Sequence, residues 1–259
     1  MDITTINPHT VALMWIRQGL GDQIVAAGVV HRMSYSCAHV YVLCRHHHLV
    51  SLQHLYRSIP NVTVLSNNQF VTDKLDPDDQ EVAHIAEHLQ AQIYEVMQAY
   101  AFTTSVNVFR SGYEQYNLPY EARWWYWPGV KSTASSQSLF KQVTSGITDY
   151  VCVHNNSSEK SSYDIDLQKG KRTHDLPHIH ITPNYSHNLF DWYDVLVNAA
   201  ETHVVVSSPF HLLEQIHAQC KGSIYFHHIR DHTQLIPQQD VLPYVKKWTI
   251  IDYPVKQWI

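Results

Sequence analysis

Arg17 to Val30 read "RQGLGDQIVAAGVV", and the fold turns on this stretch. The apolar run Val11 to Ile16 stands immediately before it, so a short strand leads into a glycine turn. Small apolar residues then recur at helical spacing, which predicts a helix over about Asp22 to Met33. A strand, a glycine turn and a helix begin a βα unit, and the turn stands at the carboxyl end of its strand, where open α/β sheets meet ligands. Gly19, Gly21, Asp22 and Gln23 occupy that turn.

Outward from this unit the same alternation continues. Strands are expected at Val40 to Cys44 and Val62 to Leu65, with helices at His47 to Ser58 and Glu81 to Tyr100. A second series follows, with strands at Tyr150 to Val153, Ile179 to Thr182, His203 to Val206 and Ser223 to Phe226. Helices near Phe190 to Ala200 and Pro209 to Gln219 fill its intervals. Alternating strands and helices predict an α/β fold with mostly parallel sheets. The aromatic "RWWYWPG" and the polar "KSTASSQS" lie between the two series, where a domain change is expected. The expected architecture is two Rossmann-like domains facing a cleft, residues 1–130 and 131–259.

Composition narrows the function classes. A chain of 259 residues with 44% hydrophobic and 16% charged residues can bury a substantial core and is not of disordered composition. No apolar run approaches the roughly 18 residues of a membrane span, and the N-terminus lacks the pattern of a signal peptide, so a cytoplasmic protein is expected. A net charge of −5 gives no electrostatic footprint for nucleic acid. Cys37, Cys44, Cys152 and Cys220 show no C-x-x-C spacing and read as reduced, buried thiols. His46, His47 and His48 are adjacent, and three successive helical side chains point in three directions, so they do not converge on one ion.

"GLGDQI" matches the opening of a dinucleotide fingerprint but places Ile24 where that fingerprint needs a small residue. Arg45, after the second strand, could contact the extra phosphate of NADP, so an NADP-dependent oxidoreductase stays as an alternative. A carboxylate beside a pyrophosphate would repel it, however. Asp22 makes better sense as a general base for a hydroxyl nucleophile. The phosphates then belong in the second half, where the strand ends are followed by His154, Ser157 and Ser158, by Thr182, and by Ser207-Ser208-Pro209. A hydroxyl N-cap with proline at the first helical position leaves a helix N-terminus open to an anion. Asp164-Ile165-Asp166 spells a D-x-D metal motif, but it follows a polar loop rather than an apolar strand.

These segments also resemble a family. "GLGDQIVAAGVVHRM" is similar to the N-terminal turn of bacterial heptosyltransferase-like glycosyltransferases of the GT-B type. "NLFDWYDVLVNAAETHVVVSSPFHLLEQ" resembles the donor-side segment of small GT-B-type glycosyltransferases from bacteria and large DNA viruses, and "VFRSGYEQYNLPYEARW" resembles their tyrosine-rich passage. "VCVHNNSSEKSSYDID" lacks the arginine-rich phosphate clamp of the fucosyltransferase branch. The resemblance implies an inverting, metal-independent transfer of a sugar from a nucleotide-sugar donor to a hydroxyl of a glycan or other acceptor, without a cofactor. It assigns Asp22 as base, Ser207, Ser208, His154, Ser157, Ser158 and Thr182 to the donor, and Glu214 to its ribose. Lys160 and Arg172 are candidate charge partners. A nucleotide-sugar epimerase of the same fold and a non-catalytic nucleotide-sugar binding module remain as alternatives.

Overall fold

The computed structural model describes residues 1–16, 19–66, 78–96, 108–157, 162–172, 175–229 and 248–253. The chain divides into two compact units, Met1–Gly129 and Val130–Ile259.

In the N-terminal unit, strands β1 (Val11–Ile16), β2 (His39–Cys44), β3 (Val62–Ser66) and β4 (Gln92–Val96) form a sheet of order β3-β2-β1-β4. Every pairing in it is parallel. Ala12 to Ile16 are all buried, as a central parallel strand requires, since both of its faces are covered. Leu13 and Trp15 pack with Leu43 against Val82, Ile85 and Ala86 of α3 (Asp79–His88). Helix α1 (Leu20–Ser34) packs on the helices α4 (Val108–Glu114) and α5 (Ala122–Trp125) through Gly28. A Cβ there would lie 2.7 Å from the Tyr113 hydroxyl and 2.8 Å from the Ala122 carbonyl, so only glycine allows this approach.

The expected helix Glu81 to Tyr100 is corrected, its residues 97–100 lying outside the described residues. The helix ends at His88, Gln90 takes a left-handed φ of 50°, and the chain re-enters the sheet as β4 beside β1. Gln, Glu and Ala residues favour a helix locally, but Tyr94 and Val96 alternate inward with period two, and pairing with β1 overrides propensity. The helix expected at His47 to Ser58 begins instead as a 3-10 turn over His46–His48, followed by α2 (Leu49–Tyr56). His48 is buried in that turn and His46 contacts the Ser66 hydroxyl at 3.2 Å.

The C-terminal unit holds β5 (Val151–His154), β6 (His178–His180), β7 (Glu201–Val204), β8 (Ser223–His228) and β9 (Trp248–Asp252), in the order β6-β5-β7-β8-β9 and parallel throughout. Strand β7 starts two residues earlier than hydropathy suggests because its opening polar residues Glu201, Thr202 and His203 are themselves buried. Strand β9 was not anticipated. On one face, Phe210 of α8 (Ser208–Ile216) meets Phe226 at 4.6 Å and Trp248 at 5.2 Å between ring centroids.

The polar "KSTASSQS" opens α6 (Ala134–Thr144), capped by Thr133. Its hydroxyls are used. Ser132 and Ser136 both donate to Asp194 Oδ2, and Ser135 donates to Asp191 Oδ1 at 2.7 Å, tying α6 to the 3-10 turn Leu189–Trp192 and to α7 (Tyr193–Asn198). All four cysteines are free and buried, and burial pushes the Cys37 thiol up to about 11 and Cys44 up to about 12. No helix among the described residues is long and apolar enough to cross a membrane.

Candidate functional site

In the N-terminal sheet the chain moves from β1 outward through β2 and β3, then returns to the other side of β1 as β4. The carboxyl end of β1 is therefore a topological switch point, where ligands of open sheets bind. Helix α1 starts there, with Gly19 at its N-cap. Asp22 stands in the first turn, and its Oδ2 accepts the Gly19 backbone N–H at 2.9 Å. This bond orients the carboxylate and satisfies one otherwise open donor of the helix. Gly21 is buried beside it. Gln23 is only 1% exposed: its Nε2 donates to the carbonyls of Ile16 at 3.1 Å and Leu43 at 3.3 Å, so its amide ties together the ends of β1 and β2. Ile24 is fully buried in the helix interior, which leaves no room for the close helix packing of a dinucleotide turn.

The C-terminal sheet repeats the arrangement. β6 and β7 flank β5 on opposite sides, so its switch point lies between β5 and β7. The two strand ends are joined there by side chains: Ser207 Oγ lies 3.1 Å from His154 Nδ1 and 2.9 Å from the Val205 carbonyl. Ser207 has one proton and the carbonyl can only accept it, so His154 carries its own proton on Nδ1, leaving Nε2 as the ring acceptor. Burial lowers the pKa of His154 to about 4, so the ring is neutral at pH 7.

Ser207 is the N-cap of α8, one residue earlier than the sequence suggested, with Ser208 opening the helix and proline following. Because its hydroxyl is engaged by Val205 and His154, no side chain among the described residues caps α8. Its first-turn N–H groups and positive dipole end therefore suit an anion. Ser157 Oγ is 3.1 Å from the Tyr163 hydroxyl in the loop after β5. Thr182, after β6, accepts the Asn184 N–H at 3.0 Å in a turn one strand further out. Ser158 and Lys160 lie outside the described residues.

Two candidate residues have protein partners of their own. Arg172 pairs with Asp149 at 2.9 Å, and Asp149 precedes β5, so this cation stands at the amino-terminal edge of the sheet, away from the strand ends that carry His154 and Ser207. Glu214 is 1% exposed, and its Oε2 is 2.7 Å from His211 Nδ1 in the same helix. His211 escaped the sequence reading, although a His and a Glu three apart on a helix face are neighbours by spacing alone. Asp166 accepts the Gln168 N–H at 3.0 Å and caps the short 3-10 turn Leu167–Lys169, an ordinary structural use of half the D-x-D sequence. Among the described residues no group of three or more His, Cys, Asp or Glu is placed to hold a metal.

A second polar cluster lies on the face of this sheet opposite Phe226. His203 Nδ1 contacts His227 Nε2 at 2.8 Å, and His227 Nδ1 contacts the Tyr253 hydroxyl at 2.7 Å. Glu201 lies 3.8 Å from His203 and accepts the Arg172 backbone N–H at 2.8 Å, while Tyr253 accepts that of Asp166 at 2.6 Å. Side chains of the sheet thus hold the polar loop after β5 by its own backbone.

No family model matches the chain, and no curated protein matches it in sequence. Its fold is similar to a solved structure, that of the glycosyl transferase family 9 from Veillonella parvula DSM 2008, with a TM-score of 0.57 and 9% identity over 96% of this chain and 87% of that one.

Proposed function

We propose that this chain is a glycosyltransferase that moves a sugar from a nucleotide-sugar donor to a hydroxyl of a glycan or other acceptor, with inversion and without a metal ion. The observation that carries the reading is the Ser207–His154 junction beside the uncapped start of α8, at the switch point of a sheet whose fold resembles that of a glycosyl transferase.

The donor's diphosphate is the leaving group and gains charge as its bond to the anomeric carbon breaks. The first-turn N–H groups of α8, with the Ser208 hydroxyl, stabilise that charge, since fixed donors aimed at developing charge need no reorganisation. His154 is neutral and so contributes a hydrogen-bonding edge rather than a cation. Ser157 and Thr182 extend the same polar strand-end surface toward the sugar or nucleoside. Asp22 takes the proton of the acceptor hydroxyl as its oxygen bonds to the anomeric carbon. Its Oδ2 bond to Gly19 fixes the carboxylate for that transfer.

Thermal unfolding in the presence of UDP, GDP, CDP and TDP tests the donor site, because a ligand that binds only the native state stabilises it by about 2.7 kcal/mol at a hundred times its Kd. One nucleoside diphosphate is expected to raise Tm well above the others. Equal failure of all four would remove the reading.

A further inference from the structure

We propose that a cavity at the amino-terminal edge of the C-terminal sheet binds a phosphorylated sugar, as a site separate from the donor site. The cavity measures about 630 Å³, within the range of small-ligand sites. Asp149, Ala200 and Gly222 line it; Asp149 stands two residues before β5, and Ala200 and Gly222 immediately precede β7 and β8. His154 ends β5 and Ser207 follows β7 at the opposite edge, a strand length away, about 13 Å for four residues.

The lining carries two kinds of recognition chemistry. Lys141, Arg172 and Lys221 bring three cations against the single acid Asp149, in a chain whose net charge is −5. Arg172 pairs with Asp149 at 2.9 Å, an exposed ion pair at the wall. Lys141 and Lys221 have no ion-pair partner among the described residues, so both ammonium groups are available to a phosphate.

The remaining wall combines the apolar Phe140 and Ile147 with a few polar groups. α6 ends here at Thr144 and α7 at Asn198, with the Thr144 carbonyl taken by the Ile147 N–H at 2.8 Å and the Val197 carbonyl by the Lys221 N–H at 2.9 Å. Asn198 Nδ2 donates to the Asp194 carbonyl at 2.7 Å, which leaves its Oδ1 as an acceptor, and Thr148 adds a hydroxyl. A phosphate for the cations combined with sugar hydroxyls for Asn198 Oδ1 and the Thr148 hydroxyl satisfies both sets, whereas inorganic phosphate satisfies one.

The shape of the wall depends on close backbone approach. A Cβ on Gly222 would collide with the carbonyls of Ala199 and Ala200, so glycine lets the chain entering β8 lie against the one entering β7. Gly146, at a φ of 88°, turns the chain out of α6 over the opening.

Calorimetric titration of the full chain with glucose 6-phosphate, inorganic phosphate and glucose tests the site, repeated with a saturating nucleoside diphosphate present. Glucose 6-phosphate is expected to bind saturably at millimolar concentration and about tenfold more tightly than phosphate or glucose, with no competition from the nucleotide. The exposed-surface double variant Lys141→Gln/Lys221→Gln should weaken glucose 6-phosphate about tenfold while nucleotide binding and Tm stay unchanged. Equal affinity for phosphate alone would make this an anion site and overturn the sugar; no saturable binding, displacement by the nucleotide, or indifference to the double variant would overturn the site. None of these outcomes bears on the glycosyl-transfer reading, which stands on the other end of the sheet.

Discussion

Ser207 Oγ and His154 Nδ1, 3.1 Å apart, join the residue that starts α8 to the last residue of β5. The contact spans the switch point of the C-terminal sheet and takes the serine hydroxyl away from the helix it would otherwise cap. An uncapped N-terminus costs stability, because its N–H groups lose a partner. A bound diphosphate would return that partner.

Ser207→Ala is therefore expected to weaken nucleoside diphosphate binding about tenfold while lowering folding stability by only about 1 kcal/mol. His154→Ala should act through the same contact, so the double variant should lose less affinity than the two singles together, by about 1 kcal/mol of coupling. Calorimetric titration of the four proteins measures this. Strict additivity would mean that the two side chains do not share a ligand.

Metal chelation separates two designs of transferase. With α8 neutralising the leaving diphosphate, transfer should persist in EDTA. Loss of activity on chelation, with recovery in manganese or magnesium, would return attention to Asp164 and Asp166 despite the capping role of Asp166.

The buried histidines set an acid limit. His203 and His227 are fully buried and their pKa values are lowered by desolvation, as is that of His154. Around the pair stand Glu201, which opposes the shift at His203, Asp166, which opposes it at His227, and His178, Tyr225 and Tyr253. A histidine depressed in the fold is protonated first in the unfolded chain, so stability is complete above the ordinary value of 6.5 and falls as pH drops toward about 4. Each such group contributes a slope of up to about 1.4 kcal/mol per pH unit. Urea unfolding at pH 7, 6, 5 and 4.5 should show the decline, and His227→Gln should flatten it. An unchanged slope in that variant would assign the acid limit to carboxylates.

What the sequence disclosed depended on whether local pattern and tertiary context agreed. β1, the glycine turn and α1 were legible because apolar run, turn residues and helical spacing point the same way. The serine-rich "KSTASSQS" was not, because its helix is held by hydroxyls bonded to Asp191 and Asp194, whose positions only the fold supplies. β4 was hidden by residues with helical propensity. At the site, Ser207 and His154 could be named from strand ends, but their contact could not, since they are 53 residues apart. Glu214 was read as a ligand group; its spacing from His211 was legible, but the burial of the pair shows only in space.

Gly28 supports the helix that presents Asp22. Its missing side chain admits Tyr113, whose hydroxyl donates to the Val25 carbonyl at 2.6 Å, and the backbone of Ala122 and Arg123. Gly28→Val should cost about 1–3 kcal/mol or more by overpacking, since backbone cannot yield as a flexible side chain can. Chemical denaturation measures the loss. A variant as stable as the parent would show that α5 can move away from α1.

Asp22 separates chemistry from structure, because the bond it makes to Gly19 N–H is one that a plain capping residue also makes. Asn at this position keeps an oxygen that can accept that N–H, so Asp22→Asn should fold with stability changed by no more than about 1 kcal/mol. Donor binding should also survive, since Asp22 belongs to the N-terminal unit and the proposed phosphate groups to the other. The amide cannot take a proton from the acceptor hydroxyl, however, and transfer should fall by roughly a hundredfold to ten-thousandfold. The comparison with Asp22→Ala completes the test. Ala removes the acceptor for Gly19 as well, so it should lose both transfer and about 1 kcal/mol of stability. Full transfer in the Asn variant, with lost stability in the Ala variant, would leave Asp22 as a cap and move the base elsewhere.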